Sequence, residues 1–293
     1  MRTAHTVLLL IAVLAISTAA GFFLSKRTSI NQIQKSGKPQ IAATIFPLSD
    51  ITKNIGGDKI DVTLILPPGA SPHTFDLKPS DIAKIQKADL VLAIGHGLDD
   101  WVTSALNSPD KKVVIDKDIV IKKLGGEDDP HYWLSVKNAK QIALNISEIL
   151  INHDPANRSY YLQNTISYLV QLELLEKELT ELSLKIGNRS FVTFHDAWYY
   201  FSEERGLNVA ASFEPFPGKS PSPSDLNQFG KAVKASGTKV IYSEPQIPSD
   251  LLEAVVKDLG VKIVVLDPTG GIKDRDSYIN LMRYNMHEIE KNQ

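Results

Sequence analysis

No cysteine occurs anywhere in the 293 residues. That absence removes disulfides, thiolate metal ligands, thiol nucleophiles and lipid attachment through an N-terminal cysteine. Any metal site in this chain must therefore be built from His, Asp and Glu. An excess of positive charge is missing too. The first 37 residues hold Arg2, Lys26, Arg27 and Lys35 and no acid, so without them 28 basic residues stand against 34 acidic ones. A net-acidic remainder gives no support for nucleic-acid binding. With 43% hydrophobic and 23% charged residues, the composition is that of a globular protein long enough for two domains, not of a disordered or fibrous chain.

Thr6 to Leu24 is an apolar run behind Met1-Arg2, with the small residues Ser17-Thr18-Ala19 in its later part. This reads as an export signal cleaved near those small residues. The run also reaches the roughly 20 apolar residues that span a bilayer, and an uncleaved anchor ending at Lys26-Arg27 is the alternative. Residues 1–26 are thus expected to be a signal peptide or anchor, residues 27–38 a polar linker, and the protein periplasmic.

Beyond the linker, short β-rich runs alternate with amphipathic stretches, the pattern of βα units. Strands are expected at Ile41–Ile45, Ile60–Leu66, Asp89–Ile94 and Val113–Asp116, and again at Phe191–Phe194, Asn208–Ser212, Val240–Ser243 and Ile263–Leu266. Helices are expected at Pro79–Lys87, Val136–Asn152, Ala197–Arg205, Pro223–Ala235, Ser249–Leu259 and Asp276–Glu290. Asp154-Pro155 opens about 30 residues of helical spacing without Gly or Pro before Gly187, a rod of roughly 45 Å. The fold class is therefore α/β with two lobes, residues 39–153 and 188–293. Each lobe is a mainly parallel sheet flanked by helices, and a rigid backbone helix at residues 154–187 joins them. A coiled-coil dimer helix is the competing reading of that segment.

Open α/β sheets bind ligands beyond the carboxyl ends of their strands, where loops converge. Four metal-capable side chains lie there. His73 follows Ile60–Leu66 through the stiff turn Pro67-Pro68-Gly69. His131 follows Val113–Asp116 after a Gly-rich acidic loop, His195 directly follows Phe191–Phe194, and Asp267 directly follows Ile263–Leu266. Three neutral imidazoles and one carboxylate form a nitrogen-rich set suited to a borderline divalent ion such as Zn2+. Taken singly, each histidine is an ordinary hydrogen-bonding residue, and Asp267-Pro268 is a common turn or cap pair. His96, in Gly95-His96-Gly97, shares the same edge and is expected at the rim. Glu244 is expected in a salt bridge or cap, with orientation of a ligand or replacement of Asp267 as alternatives, and Asp196 is expected to serve geometry.

Ser71-Pro72-His73-Thr74-Phe75-Asp76 with Pro79-Ser80-Asp81, then Asp129-Pro130-His131-Tyr132-Trp133-Leu134, Phe194-His195-Asp196-Ala197-Trp198 and Leu266-Asp267-Pro268 resemble the successive motifs of the zinc/manganese ABC-transporter solute-binding proteins. The resemblance runs in order over residues 39 to 290. It implies a monomeric extracytoplasmic receptor, not an enzyme, that carries Zn2+ to an ABC-transporter permease, with His73, His131, His195 and Asp267 as ligands. Manganese or iron is the alternative cargo, and a histidine at the third position points to zinc, since carboxylate there marks the manganese type. Two features depart from the pattern. Lys122 to Asp129 holds no histidine where many zinc members carry a His-rich loop, and the cysteine of the lipoprotein members is missing. A zinc-dependent hydrolase is the competing class, because three protein ligands and a water hold catalytic zinc. The chain has no His-Glu-x-x-His helix to support it.

Overall fold

The computed structural model describes residues 37–187, 189–214, 222–247, 257 and 259–293. The expected export segment, most of the linker and most of the helix expected at Ser249–Leu259 lie outside these residues. Four short strands, β1 (Gln40–Ala43), β2 (Asp61–Leu64), β3 (Leu90–Ala93) and β4 (Lys112–Val114), form a parallel sheet in the order β2-β1-β3-β4. A two-residue hairpin follows, β5 (Lys123–Leu124) with β6 (Glu127–Asp128). The second sheet is built from β7 (Ser190–His195), β8 (Asn208–Glu214), β9 (Val240–Ser243) and β10 (Lys262–Val265) in the order β10-β9-β7-β8, again parallel. Read from the other edge, that order repeats the first sheet's. The first strand of each sheet pairs with both the second and the third, which puts the change of winding direction in the middle of each.

The helices start where the sequence offers caps. Pro79 opens α2 (Pro79–Lys87), and Asp81 accepts a hydrogen bond from the Lys78 N–H at 3.2 Å. Ser135 Oγ accepts the Asn138 N–H at the start of α3 (Val136–His153). Ser222 and Asp225 form a reciprocal capping box on α6 (Pro223–Ser236). Ser277 caps α7 (Tyr278–Asn292) in the same way as Ser135. The remaining helices are α1 (Phe46–Gly56), which the sequence reading did not single out, α4 (Arg158–Ile186) and α5 (Tyr199–Arg205). The hairpin was read as a loop. Its Gly125-Gly126 pair, with φ of 58° and 96°, supplies the positive dihedrals a tight two-residue turn requires.

Helix α4, 29 residues and about 43 Å long, is the spine of the fold. Tyr161, Thr165, Tyr168, Leu172, Leu175, Leu179, Leu182 and Ile186 are buried along it, alternating steps of four and three residues. That spacing resembles a coiled-coil seam, but α1, α3 and α7 of the same chain fill it. The core on this seam continues through Trp133 and Tyr132 to Phe191, Trp198 and Tyr278, so elements of both sheets share it. Lys38–Gln293 accordingly form one compact unit. A smaller aromatic cluster, Phe194, Phe213 and Phe229, backs the second sheet. Among the described residues no helix is long and apolar enough to cross a membrane.

Bonds reach from the second half of the chain to the first at several points. Glu204 of α5 accepts the Val136 and Lys137 N–H groups that begin α3, at 2.8 and 2.9 Å. Trp133 Nε1 donates to the Pro268 carbonyl at 2.8 Å, and Tyr278 Oη donates to the Trp133 carbonyl at 2.8 Å. The Tyr278 N–H is held by Asp50 of α1. A pair of leucines tests the orientation of the spine: Leu175 is fully buried and Leu174 is 61% exposed. Leu175→Ala is expected to cost about 2–5 kcal/mol in chemical denaturation, and Leu174→Ala less than about 0.5 kcal/mol. Equal losses would mean that the helix faces the core differently.

Candidate metal centre

His73 sits in the short helical turn Pro72–Thr74 beyond β2. The turn is pinned from behind, because Trp101 Nε1 donates to the Pro72 carbonyl at 2.9 Å while its ring packs edge-on against Phe75. His131 lies beyond the hairpin at the head of the turn Tyr132–Leu134, and Tyr132 Oη donates to the Ile94 carbonyl at the end of β3. His195 is the last residue of β7, at the mid-sheet position where β9 ends beside it. His195 meets the other two rings face to edge and His73 is tilted against His131, with centroids 5.0 to 5.2 Å apart. One ring nitrogen from each lies within 4.8 Å of the others, and His73 Nε2 is 3.1 Å from His131 Nε2.

Two carboxylates decide which nitrogens face inward. Glu244, just after β9, accepts the Trp198 indole N–H on Oε1, and its Oε2 lies 2.9 Å from His195 Nδ1. Asp129 Oδ1 accepts the His131 backbone N–H at 3.0 Å and lies 2.8 Å from His131 Nδ1. Both oxygens act as acceptors, so each Nδ1 carries the proton and each Nε2 presents a lone pair. Two imidazole nitrogens on a tetrahedral ion at 2.0–2.1 Å stand about 3.3 Å apart. The 3.1 Å between His73 and His131 fits that arrangement.

Asp267 is buried at 3% exposure but is not one of this cluster. Its Oδ1 accepts from the Thr269 N–H at 2.9 Å, the Gly270 N–H at 2.8 Å and the Thr269 hydroxyl at 3.3 Å, and its Oδ2 from Arg275 at 3.1 Å. Asn285 of α7 clamps its backbone on both sides. The loop it begins leans on the first half of the chain through Pro268 on Trp133 and through Gly271, which lies close to Phe46 and Pro68. His96 adopts the left-handed conformation, φ 54°, and its two ring nitrogens face Asp128 at 3.2 Å and Asp116 at 3.0 Å. Glu244 orients His195, one of the alternatives left open for it, and Asp196 is half-buried beside His195. Sequence reasoning gave Asp129 no role. Its position two residues before a histidine, with the stiff Pro130 between, was the available signal. Nothing local marked Arg275.

Burial sets the electrostatics. It pushes the His73 imidazole from the ordinary 6.5 down to about 2, with the neighbouring His131 and His195 adding to the effect. Burial also lowers His131 well below the usual histidine range. Asp129, whose Oδ2 is buried without a partner, is raised from 3.8 to about 7, again chiefly by burial. Asp196 is raised by burial and by the charge of Asp129. His73 and His131 are therefore held in the deprotonated form that a metal ligand must have.

The depressed value for His73 has a defined pH consequence. Between pH 6.5 and about 2 the unfolded chain holds a proton on this residue that the native chain does not. The stability of the metal-free protein therefore falls as pH drops through that window. Asp129 has the opposite sign, contributing below pH 3.8 and losing that contribution as pH rises through about 7. In the metal-free protein the His73 ring resonances are expected to stay at their neutral positions from about pH 8 to pH 4, where an ordinary histidine titrates midway. An NMR titration with a midpoint near 6.5 would contradict this electrostatic picture.

The chain matches the family described as the periplasmic component A of the zinc-uptake complex over residues 41–292. It is 29% identical over 280 residues to the high-affinity zinc uptake system protein ZnuA of Bacillus subtilis, covering 87% of this chain and 88% of that protein. It is 28% identical over 309 residues to the zinc-binding protein AdcA of Streptococcus pyogenes, covering 94% of this chain and 60% of the streptococcal one. The chain thus spans well under two thirds of AdcA. A crystal structure of ZnuA superposes with a TM-score of 0.76 at 27% identity, covering 87% of this chain and all of that one. The solute-binding protein FpvC of Pseudomonas aeruginosa, in complex with Mn2+, does so with 0.77 at 28% identity, covering 87% of this chain and 98% of its own. The periplasmic zinc-binding protein TroA of Treponema pallidum, at 23% identity and a TM-score of 0.78, shares the fold. This chain belongs to the family of the periplasmic component A of zinc-uptake complexes.

Proposed function

We propose that this protein is an exported receptor that binds one transition-metal ion, zinc, as cargo and passes it to the permease of an ABC transporter. The observation that carries the reading is the convergence of three imidazoles, His131 and His195 buried and His73 half-buried, two with Nδ1 held by a carboxylate so that Nε2 turns inward. His73, His131 and His195 are the proposed nitrogen ligands, and Asp267 the fourth donor. Imidazole favours zinc over manganese. The relatives named for zinc point the same way, and FpvC with Mn2+ makes manganese the alternative cargo. The role is that of a carrier, not an enzyme, because four protein donors saturate the ion and leave no position for a reacting water.

In this reading residues 39–153 and 188–293 are the two lobes, residues 154–187 join them, and the ion lies where they meet. One chain supplies every proposed ligand, so a monomer suffices. Release to the permease involves a small displacement, because α4 is continuous along the fold and Glu204, Trp133 and Tyr278 tie the halves together. Opening the contact between Pro268 and Trp133 would draw the Asp267 loop away from the histidines and lower the donor count.

Isothermal titration of protein stripped by chelation is expected to give one tight zinc site per chain. Alanine at His73, His131 or His195 is expected to weaken it severely. Saturation at about 100 times the dissociation constant should add about 2.7 kcal/mol to stability, raising the melting temperature. Two or more comparable sites, or a melt that ignores metal, would count against a native site of this composition.

A further inference from the structure

Asp267 is held in an unusual way for a free ligand. Three donors satisfy its Oδ1, while Oδ2 receives only Arg275 Nη1, at 3.1 Å. A carboxylate offers about four lone-pair positions, two on each oxygen. One position on Oδ2 therefore stays open for a metal while the other carries a positive charge. Arg275 is 16% exposed, and its grip is a single bond instead of a bidentate fork. Its Nε is buried with no partner. Its guanidinium lies 4.3 Å over the Tyr284 ring, and Tyr284 Oη is anchored on the Val265 carbonyl at the end of β10. The arginine is thus positioned by a ring of α7 that is itself anchored at the end of β10, the strand that leads into Asp267.

Resting on the metal-site reading above, we infer that Arg275 is a resident counter-cation that shares the Asp267 carboxylate with the bound ion and thereby sets its preference for zinc over manganese. Arg275 cancels the formal charge of the one carboxylate in the proposed ligand set. An ion that gains most from imidazole nitrogen loses little by this. A harder ion that depends on carboxylate oxygen loses more. Arg275 is a positioning and specificity residue that acts through Asp267 and does not itself touch the metal.

The test is competition of zinc and manganese against a chelator for the wild type, Arg275→Gln and Arg275→Lys, with melting curves to establish folding. In Arg275→Gln loss of the unit charge is expected to tighten both divalent ions alike through space, by up to about tenfold at a water-like dielectric constant. The freed carboxylate oxygen is expected to add about a further threefold for manganese alone, so the preference for zinc narrows. Arg275→Lys keeps the charge and should keep the ratio. Tyr284→Leu, which removes the ring beneath the guanidinium and retains both charges, gives an independent arm: the ratio should move in the same direction by less. In an Asp267→Asn background Arg275→Gln should leave the ratio unchanged, because the carboxylate through which it acts is gone. A ratio that stays at the wild-type value in both Arg275→Gln and Tyr284→Leu, or an equal weakening of both ions, would overturn the inference and leave Arg275 a structural loop anchor. Failure of the wild type to bind either ion would remove the metal-site reading itself, an outcome distinct from a zinc-binding wild type with a silent Arg275.

Discussion

The proposed site depends on bringing three imidazole rings together, His131 and His195 buried and His73 half-buried. The Nε2 atoms of His73 and His131, 3.1 Å apart, bond each other only when one ring changes tautomer and carries its proton on Nε2, a change open to His73. A carboxylate on Nδ1 forbids that change at His131 and His195. The fold therefore presents two rings of fixed tautomer and one adjustable ring at the proposed metal site, and burial, which pushes His73 down to about 2, weakens the proton as a competitor there. Selectivity against protons and affinity for a divalent ion come from the same desolvation.

Holding the three rings together needs a stiff frame. Both sheets have the same strand order, and each turns its carboxyl edge to the site, so a duplicated βα topology supplies His73 and His131 from one sheet and His195 from the other. The seam of α4 ties the shared core together over about 43 Å. Trp133 connects His131 to Pro268, one residue beyond Asp267, and Tyr278 reaches back to the Trp133 carbonyl from α7. A displacement of the Asp267 loop is thereby coupled to the packing beside His131.

Much of this was legible in the residues. Strand ends fixed where His73, His131 and His195 would gather, and Pro79 with Asp81 announced its helix because capping is local chemistry. The 30-residue run before Gly187 was visible for the same reason, although spacing alone could not say that α1, α3 and α7 would fill its seam in place of a second chain. What sequence spacing could not express were partnerships across the fold. Glu204 capping α3, Glu244 orienting His195, and Arg275 on Asp267 depend on how loops far apart in the chain, or turned back on themselves, meet in space. The hairpin at Lys123–Asp128 was missed because two-residue strands carry no period, even though its Gly-Gly turn was in view.

The most direct test of the account is X-ray absorption at the zinc edge on protein loaded with one equivalent. Three imidazole rings and one carboxylate predict a four-coordinate shell at about 2.0–2.2 Å, with outer-shell scattering from three rings. A six-coordinate, oxygen-dominated shell, or ring scattering from fewer than two histidines, would contradict the claim that the three inward Nε2 atoms are what the protein uses to hold its cargo.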